Sequence, residues 1–192
     1  MKRIKILAAL LFLFCGTSLY AKDFDWSECW CNYGGGIEKG DLIVTAGGGL
    51  YFADLAYSTY DGFWFYPPVM VEVQIAQPVW KLPFTFGGYA GVRGYGYEYR
   101  DYNGKLLKTE CWTIVSGAEA EYHVMLPPEG LDVYAVARLG GCFPVIKPNR
   151  WSYLDYFSFG TGIGANWYFG KVFGVNLEFG YPFAKFGVSL KF

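Results

Sequence analysis

The sequence predicts an all-β protein, an eight-stranded antiparallel up-and-down transmembrane β-barrel. Three observations carry that expectation. Apolar and polar residues alternate with a period of two in stretch after stretch, as where Val69, Val71, Val73 and Ile75 interleave with Met70, Glu72, Gln74 and Ala76. That is the periodicity of a strand and not of a helix. Glycine (26) and aromatic residues (17 Tyr, 17 Phe, 7 Trp) stand where a helical protein would carry Ala, Leu, Glu and Lys. Finally, the polar side of each alternating stretch is narrow and glycine-rich, whereas the apolar side is bulky. A soluble sheet turns its broad polar side to water, so this pattern predicts a barrel with its apolar face outward.

The N-terminus reads as a secretory leader. MKRIK is a positive n-region, ILAALLFLF (6–14) a short apolar core, and CGTSLYA offers cleavage after Ala21, with Leu19 bulky for its place in that site. Cys15 raises a lipoprotein alternative, but Phe14 is not the small residue such processing prefers. The apolar run is too short for a transmembrane helix. The expected organisation is a signal peptide at 1–21, a periplasmic lead-in at 22–40 and a barrel at 41–192. Loss of Lys2, Arg3 and Lys5 takes the basic residues from 16 to 13 against 17 acidic ones, with no basic stripe to attract nucleic acid. Cys29, Cys31, Cys111 and Cys142 follow the leader. Export permits disulfides, and Cys111 with Cys142 is the plausible pair because both fall near the same ends of neighbouring strands. No His accompanies the cysteines at ligand spacing, so neither zinc nor another cofactor is expected.

The first strand is expected at 41–53, with Leu42, Val44, Ala46, Leu50 and Phe52 outward, followed by an aromatic loop at 54–66. The second covers 68–77. The third spans 84–97, with Phe84, Phe86, Ala90 and Val92 outside and Thr85, Gly87, Tyr89, Gly91, Arg93 and Tyr95 inside. A loop at 98–108 contains the turn pair Asn103-Gly104. The fourth strand, 109–125, turns Trp112, Ile114, Ala118, Ala120, Tyr122 and Val124 outward. The fifth, 132–142, sets Val133, Ala135, Ala137 and Leu139 against Tyr134, Val136 and Arg138, and a loop at 143–154 follows. The sixth, 155–169, presents Phe157, Phe159, Ile163, Ala165 and Trp167, with Gly160, Gly162, Gly164 and Asn166 on its other side. Two strands within 172–192 close the chain. Short turns at 78–83, 126–131 and 170–171 alternate with longer loops, which places the short turns and both chain ends on the periplasmic side. Trp167, Tyr168 and Phe169 near one rim and Trp112 near the other suit the aromatic girdles of a membrane barrel.

Counted from the short-turn end, Glu72, Arg93, Glu119, Arg138, Glu178 and Lys185 stand at nearly one height with alternating sign, and Glu121 adds an acidic neighbour. Arg93 is about three residues higher, a gap assigned to strand stagger. Unpaired charges in so narrow a lumen are costly, so the alternation predicts a lumenal ion-pair network. That network is either a polar plug or a gate whose pairs exchange partners, and a barrel this small favours the plug. Catalysis is not expected. Glu119 and Glu121 are explained by basic neighbours, and the single His, His123, lies near the periplasmic mouth beside Lys191 with no evident Asp and Ser partner. Gly160, Gly162 and Gly164 sit inside a strand with no helix after them, so they make no phosphate loop; they leave room for bulky neighbours. Phe63, Trp64, Phe65 and Trp151 are the expected loop contacts for a surface ligand.

The final segment, FGVSLKF, places Phe186, Val188, Leu190 and Phe192 on one face and ends on an aromatic. It resembles the C-terminal signature by which outer-membrane proteins of Gram-negative bacteria are recognised by the barrel-assembly machinery. From about residue 41 on, the chain resembles the small OmpA-, OmpX- and OmpW-type barrels in architecture, and its Gly- and Tyr-rich style is similar to that of spirochaetal outer-membrane proteins. The resemblance implies the outer membrane as location, its lipids and the assembly machinery as partners, and a monomer. The OmpA-like barrels imply a lumenal ion-pair network, a role open to the charged residues named above. The OmpW-like barrels imply passage of small hydrophobic molecules, from which a charged lumen departs. The competing expectations are a structural or surface-interaction barrel with a plugged lumen and a narrow porin-like channel or transporter.

Overall fold

The computed structural model describes residues 37–52, 62–80, 82–126, 130–146 and 157–192. The leader, most of the lead-in, Cys29, Cys31 and Trp151 lie outside the described residues. The strands are β1 (Leu42–Tyr51), β2 (Trp64–Ala76), β3 (Phe84–Arg100), β4 (Leu106–Leu126), β5 (Leu131–Ile146), β6 (Phe157–Phe169), β7 (Phe173–Tyr181) and β8 (Phe183–Lys191). Each pairs with its sequence neighbour, and β8 returns to β1, so the sheet is a closed eight-stranded antiparallel barrel.

Alternation dictates which side chains enter the lumen. In β2 the register of exposure follows the sequence without a miss: Met70, Glu72 and Gln74 are buried while Val69, Val71, Val73 and Ile75 face out, 44–56% exposed. In β7 and β8, Leu177, Phe179, Phe186 and Val188 face out while Asn176, Glu178, Lys185 and Ser189 are buried. The core is therefore inside the barrel and largely polar, and the outer wall is apolar. Closure uses the end of the chain: Leu42 and Phe192 exchange backbone hydrogen bonds of 2.9 Å in both directions. Phe186, Val188, Leu190 and Phe192 line the outer side of this seam. Lys185 stands opposite Gly49 on β1, and a Cβ at Gly49 would come 1.9 Å from the Ala184 carbonyl oxygen. Tyr168 departs from the girdle expectation, since it points inward and is buried whereas Trp167 and Phe169 are exposed.

Three loops are shorter than the sequence predicts. β2 begins at Trp64 and crosses Pro67-Pro68 by a register shift between Tyr66 and Val69. Proline cannot donate to the ladder, so it signals a strand end, yet a bulge accommodates it inside a strand. β5 likewise runs through Pro144 to Ile146, with a shift at Trp112/Thr113 on its partner. The 98–108 loop contracts to 101–105: Asp101 Oδ1 accepts from the amides of Asn103 (2.9 Å) and Lys105 (2.8 Å), and Gly104 takes φ +78°. The end of this hairpin, 97–100 with 106–109, pairs strand to strand above the rest of the wall.

Candidate functional site

The lumen is built in two storeys. Towards the short-turn rim the inward positions are mostly polar or charged, with Ile43, Ala76 and Val136 as buried apolar exceptions. Arg138 on β5 is the hub. Its Nε donates to Glu119 Oε2 (2.9 Å), its Nη2 to Glu72 Oε1 (2.5 Å) and Glu178 Oε2 (2.9 Å), and its Nη1 to Glu178 Oε1. Lys185 on β8 bridges Glu72 and Glu178, the latter at 3.2 Å. Two cations thus hold carboxylates from β2, β4 and β7 across the full width of the barrel. A planar guanidinium with several fixed donors suits this task, where a point charge could not satisfy three acids in three directions.

Neutral side chains extend the network. Gln74 Nε2 donates to Glu119 Oε1 (2.9 Å), and the Thr85 hydroxyl donates to Gln74 Oε1 (2.9 Å). Tyr134 donates to Glu178 Oε2 (3.0 Å), and its ring crosses Gly164, where a Cβ would lie 2.2 Å from the ring carbon Cζ. Only glycine on the facing strand allows that crossing. Asn176 Nδ2 donates to Tyr134 Oη and to Asn166 Oδ1, both at 2.8 Å, and Asn166 Nδ2 donates to Asp132 Oδ2 at 3.2 Å. His123 sits 2.9 Å from Asp132 Oδ2 through Nδ1 and 3.0 Å from Thr85 Oγ1 through Nε2. Glu121 Oε2 is 3.5 Å from the same Nε2.

Towards the loop rim the lumen changes character. Tyr51, Met70, Tyr89, Val115, Cys142 and Phe183 form one buried apolar cluster. Tyr51 and Phe183 meet edge to face at 4.8 Å, and the Arg93 guanidinium lies 3.9 Å above the Tyr51 ring. Tyr89 separates the storeys, its ring 5.8 Å from the Arg138 guanidinium below. The aromatic wall continues up β3 through Tyr95 and Tyr97, whose rings stack at 6.5 Å.

The structure gathers Glu72, Glu119, Arg138, Glu178 and Lys185 as the sequence predicts, with Glu121 beside them. It corrects several expectations. The charges do not alternate around a ring, because Arg138 serves three acids at once. Arg93 is not brought into the layer by stagger: it pairs in register with Thr113, above Tyr89, and stacks on Tyr51. His123 does have an acid partner, Asp132, on the neighbouring strand. Cys111 and Cys142 are not joined, since Cys142 faces Val115 on β4, four positions below Cys111. Of the expected loop contacts, Trp64 and Phe65 belong to β2 and Phe63 directly precedes it; Trp151 lies outside the described residues.

Gln74, Thr85, Tyr134, Asn166 and Asn176 are partners that sequence reasoning missed. Their inward parity was visible in the alternation, but their mates were not, because every bond among them joins different strands. Glu72, Glu121 and Glu178 each bring one oxygen within 4.8 Å of the others, a spacing open to a metal ion. Lys185 and Arg138 already place their nitrogens against Glu72 and Glu178, so the trio belongs to the ion-pair layer. No protein-family model, curated protein or solved structure matches the chain.

Proposed function

We propose that the chain is an outer-membrane β-barrel whose lumen is plugged, and that it works as a structural or surface-interaction protein through its loop end. The single observation that carries the membrane reading is the inversion of polarity around a closed sheet. Phe157, Phe159, Ile163, Leu177, Phe179 and Phe186 are each 56–67% exposed on adjoining strands. A monomer in water rarely exposes a continuous apolar patch beyond roughly 300–600 Å². In lipid the same wall is favourable, and the closed ladder leaves no backbone edge unsatisfied. Strands of nine residues or more are long enough to cross when tilted.

The plug reading rests on the lumen itself. Arg138 and Lys185 tie opposite walls together, and the apolar cluster of Tyr51, Met70, Tyr89 and Phe183 fills the storey above. An unbroken water column has no room beside side chains that meet across the axis. Lipids of the outer membrane and the barrel-assembly machinery are the implied partners, with a surface ligand at the loop end and a monomer as the working unit. Refolding the chain into lipid vesicles tests both parts. The expected product migrates differently on a detergent gel before and after heating and gives no steady current across a planar bilayer. Identical migration would defeat the membrane barrel, and steady ion-selective openings would defeat the plug.

A further inference from the structure

The chain holds a single histidine, His123, and its surroundings leave its charge state little choice. Hydrogen-bond direction can be followed from the ion-pair layer outward. With Glu119 ionised against the Arg138 guanidinium, both its oxygens accept, so Gln74 turns its amide nitrogen to Glu119 and its carbonyl to Thr85. That carbonyl takes the only hydroxyl proton of Thr85. Thr85 Oγ1 can therefore only accept from His123 Nε2, 3.0 Å away. On the other side of the ring, Nδ1 faces both oxygens of Asp132, at 2.9 and 3.1 Å, and a carboxylate also accepts only. Both nitrogens must donate. Asp132 in turn accepts from Asn166, which accepts from Asn176, which reaches Tyr134, Glu178 and Arg138. The bonds close a ring through β2, β3, β4, β5, β6 and β7.

We propose that His123 is held as a doubly protonated imidazolium, a further cation of the lumenal floor, and that loss of its second proton opens this ring and loosens the short-turn end of the barrel. If Nε2 gives up the proton, its lone pair faces Thr85 Oγ1 and the Glu121 carboxylate at 3.5 Å. Thr85 can then donate to it only by abandoning Gln74. If Nδ1 gives up the proton, a lone pair faces Asp132. Either way one joint fails, and the buried group left there has no solvent to turn to. The charged and titratable groups facing the ring are Glu121 on its own strand, Asp132 and Tyr134 on β5, and Lys191 of β8 through Asp132; β2 and β3 contribute the neutral Gln74 and Thr85. The device goes beyond the surface-interaction reading and stands whatever the loops bind.

The test is nitrogen-15 spectroscopy of the full chain refolded in detergent, labelled at histidine. At pH 7.5 both ring nitrogens are expected to carry hydrogen. Titration to higher pH should remove one ring proton and, at the same pH, raise amide exchange at Thr85 and Asp132 about tenfold beyond the base-catalysed rise that every amide shows, the scale of one buried group left unsatisfied. His123→Asn should lack this step while keeping the gel behaviour of the barrel. A single protonated ring nitrogen at pH 7.5 would overturn the proposal without any variant. So would an exchange step that persists in His123→Asn.

Discussion

The two storeys of the lumen obey one rule of alternation and are held together in opposite ways. Below, Arg138, Lys185 and His123 meet Glu72, Glu119, Glu121, Asp132 and Glu178 through bonds whose direction and charge each partner dictates. Above, Tyr51, Met70, Val115 and Phe183 meet through surface contact, with Arg93 laid on an aromatic face. Charge pairs in a dry space fail when one member is removed, because the other remains buried and uncompensated. Apolar contacts lose only what the missing atoms contributed, plus any cavity. The floor is thus the specific half of the molecule and the upper storey the forgiving half. That difference is open to direct attack.

The largest effect is expected from Arg138→Met. Three carboxylates lose their shared cation, and unfolding in urea should show a loss of at least about 3–5 kcal/mol. Arg138→Lys should recover part of that loss, since it restores the charge but not the planar fork that reaches Glu72, Glu119 and Glu178 together. Full recovery of the loss by Arg138→Lys would mean that charge alone holds the floor. In the upper storey, Met70→Leu should cost under about 1.5 kcal/mol by the same measurement, as a swap of similar volume among apolar neighbours. A loss comparable to that of Arg138→Met would erase the distinction between the storeys.

Two outer-surface changes calibrate the smaller end. Gly94→Ala places a methyl 2.8 Å from the Trp112 ring, which stacks on Tyr66 at 4.6 Å. A cost of about 1–3 kcal/mol is expected, together with a change in tryptophan fluorescence as the ring shifts. Glu98→Gln removes the 2.6 Å pair with Lys108, whose side chain is 69% exposed, on the hairpin that rises above the wall. Its thermal midpoint should barely move, because exposed pairs contribute at most about 1 kcal/mol.

Much of the barrel could be read from residue order. Period-two alternation placed each strand and gave the facing of Glu72, Glu119, Arg138, Glu178 and Lys185, because a pleated backbone sends successive side chains to opposite sides. The strand ends were harder. The second strand was expected only from 68 and the fifth only to 142, and only the facing strand reveals the register shifts that carry β2 across Pro67-Pro68 and β5 across Pro144. Height was harder still. Arg93 and Lys185 are both inward cations, yet one stacks on Tyr51 and the other bridges Glu72 and Glu178. Counting along separate strands cannot tell them apart, since the shear between strands is a property of the closed sheet.

The amino-acid order by itself therefore determined the strand class, the facing of each side chain and the inversion of polarity, all of which are local consequences of a two-residue repeat. Tertiary structure alone decided the pairings: Arg138 with three acids, His123 with Asp132 and Thr85, and Cys111 apart from Cys142. Those partners lie on different strands, often tens of residues apart, and which of them meet depends on register and closure, which no single strand contains.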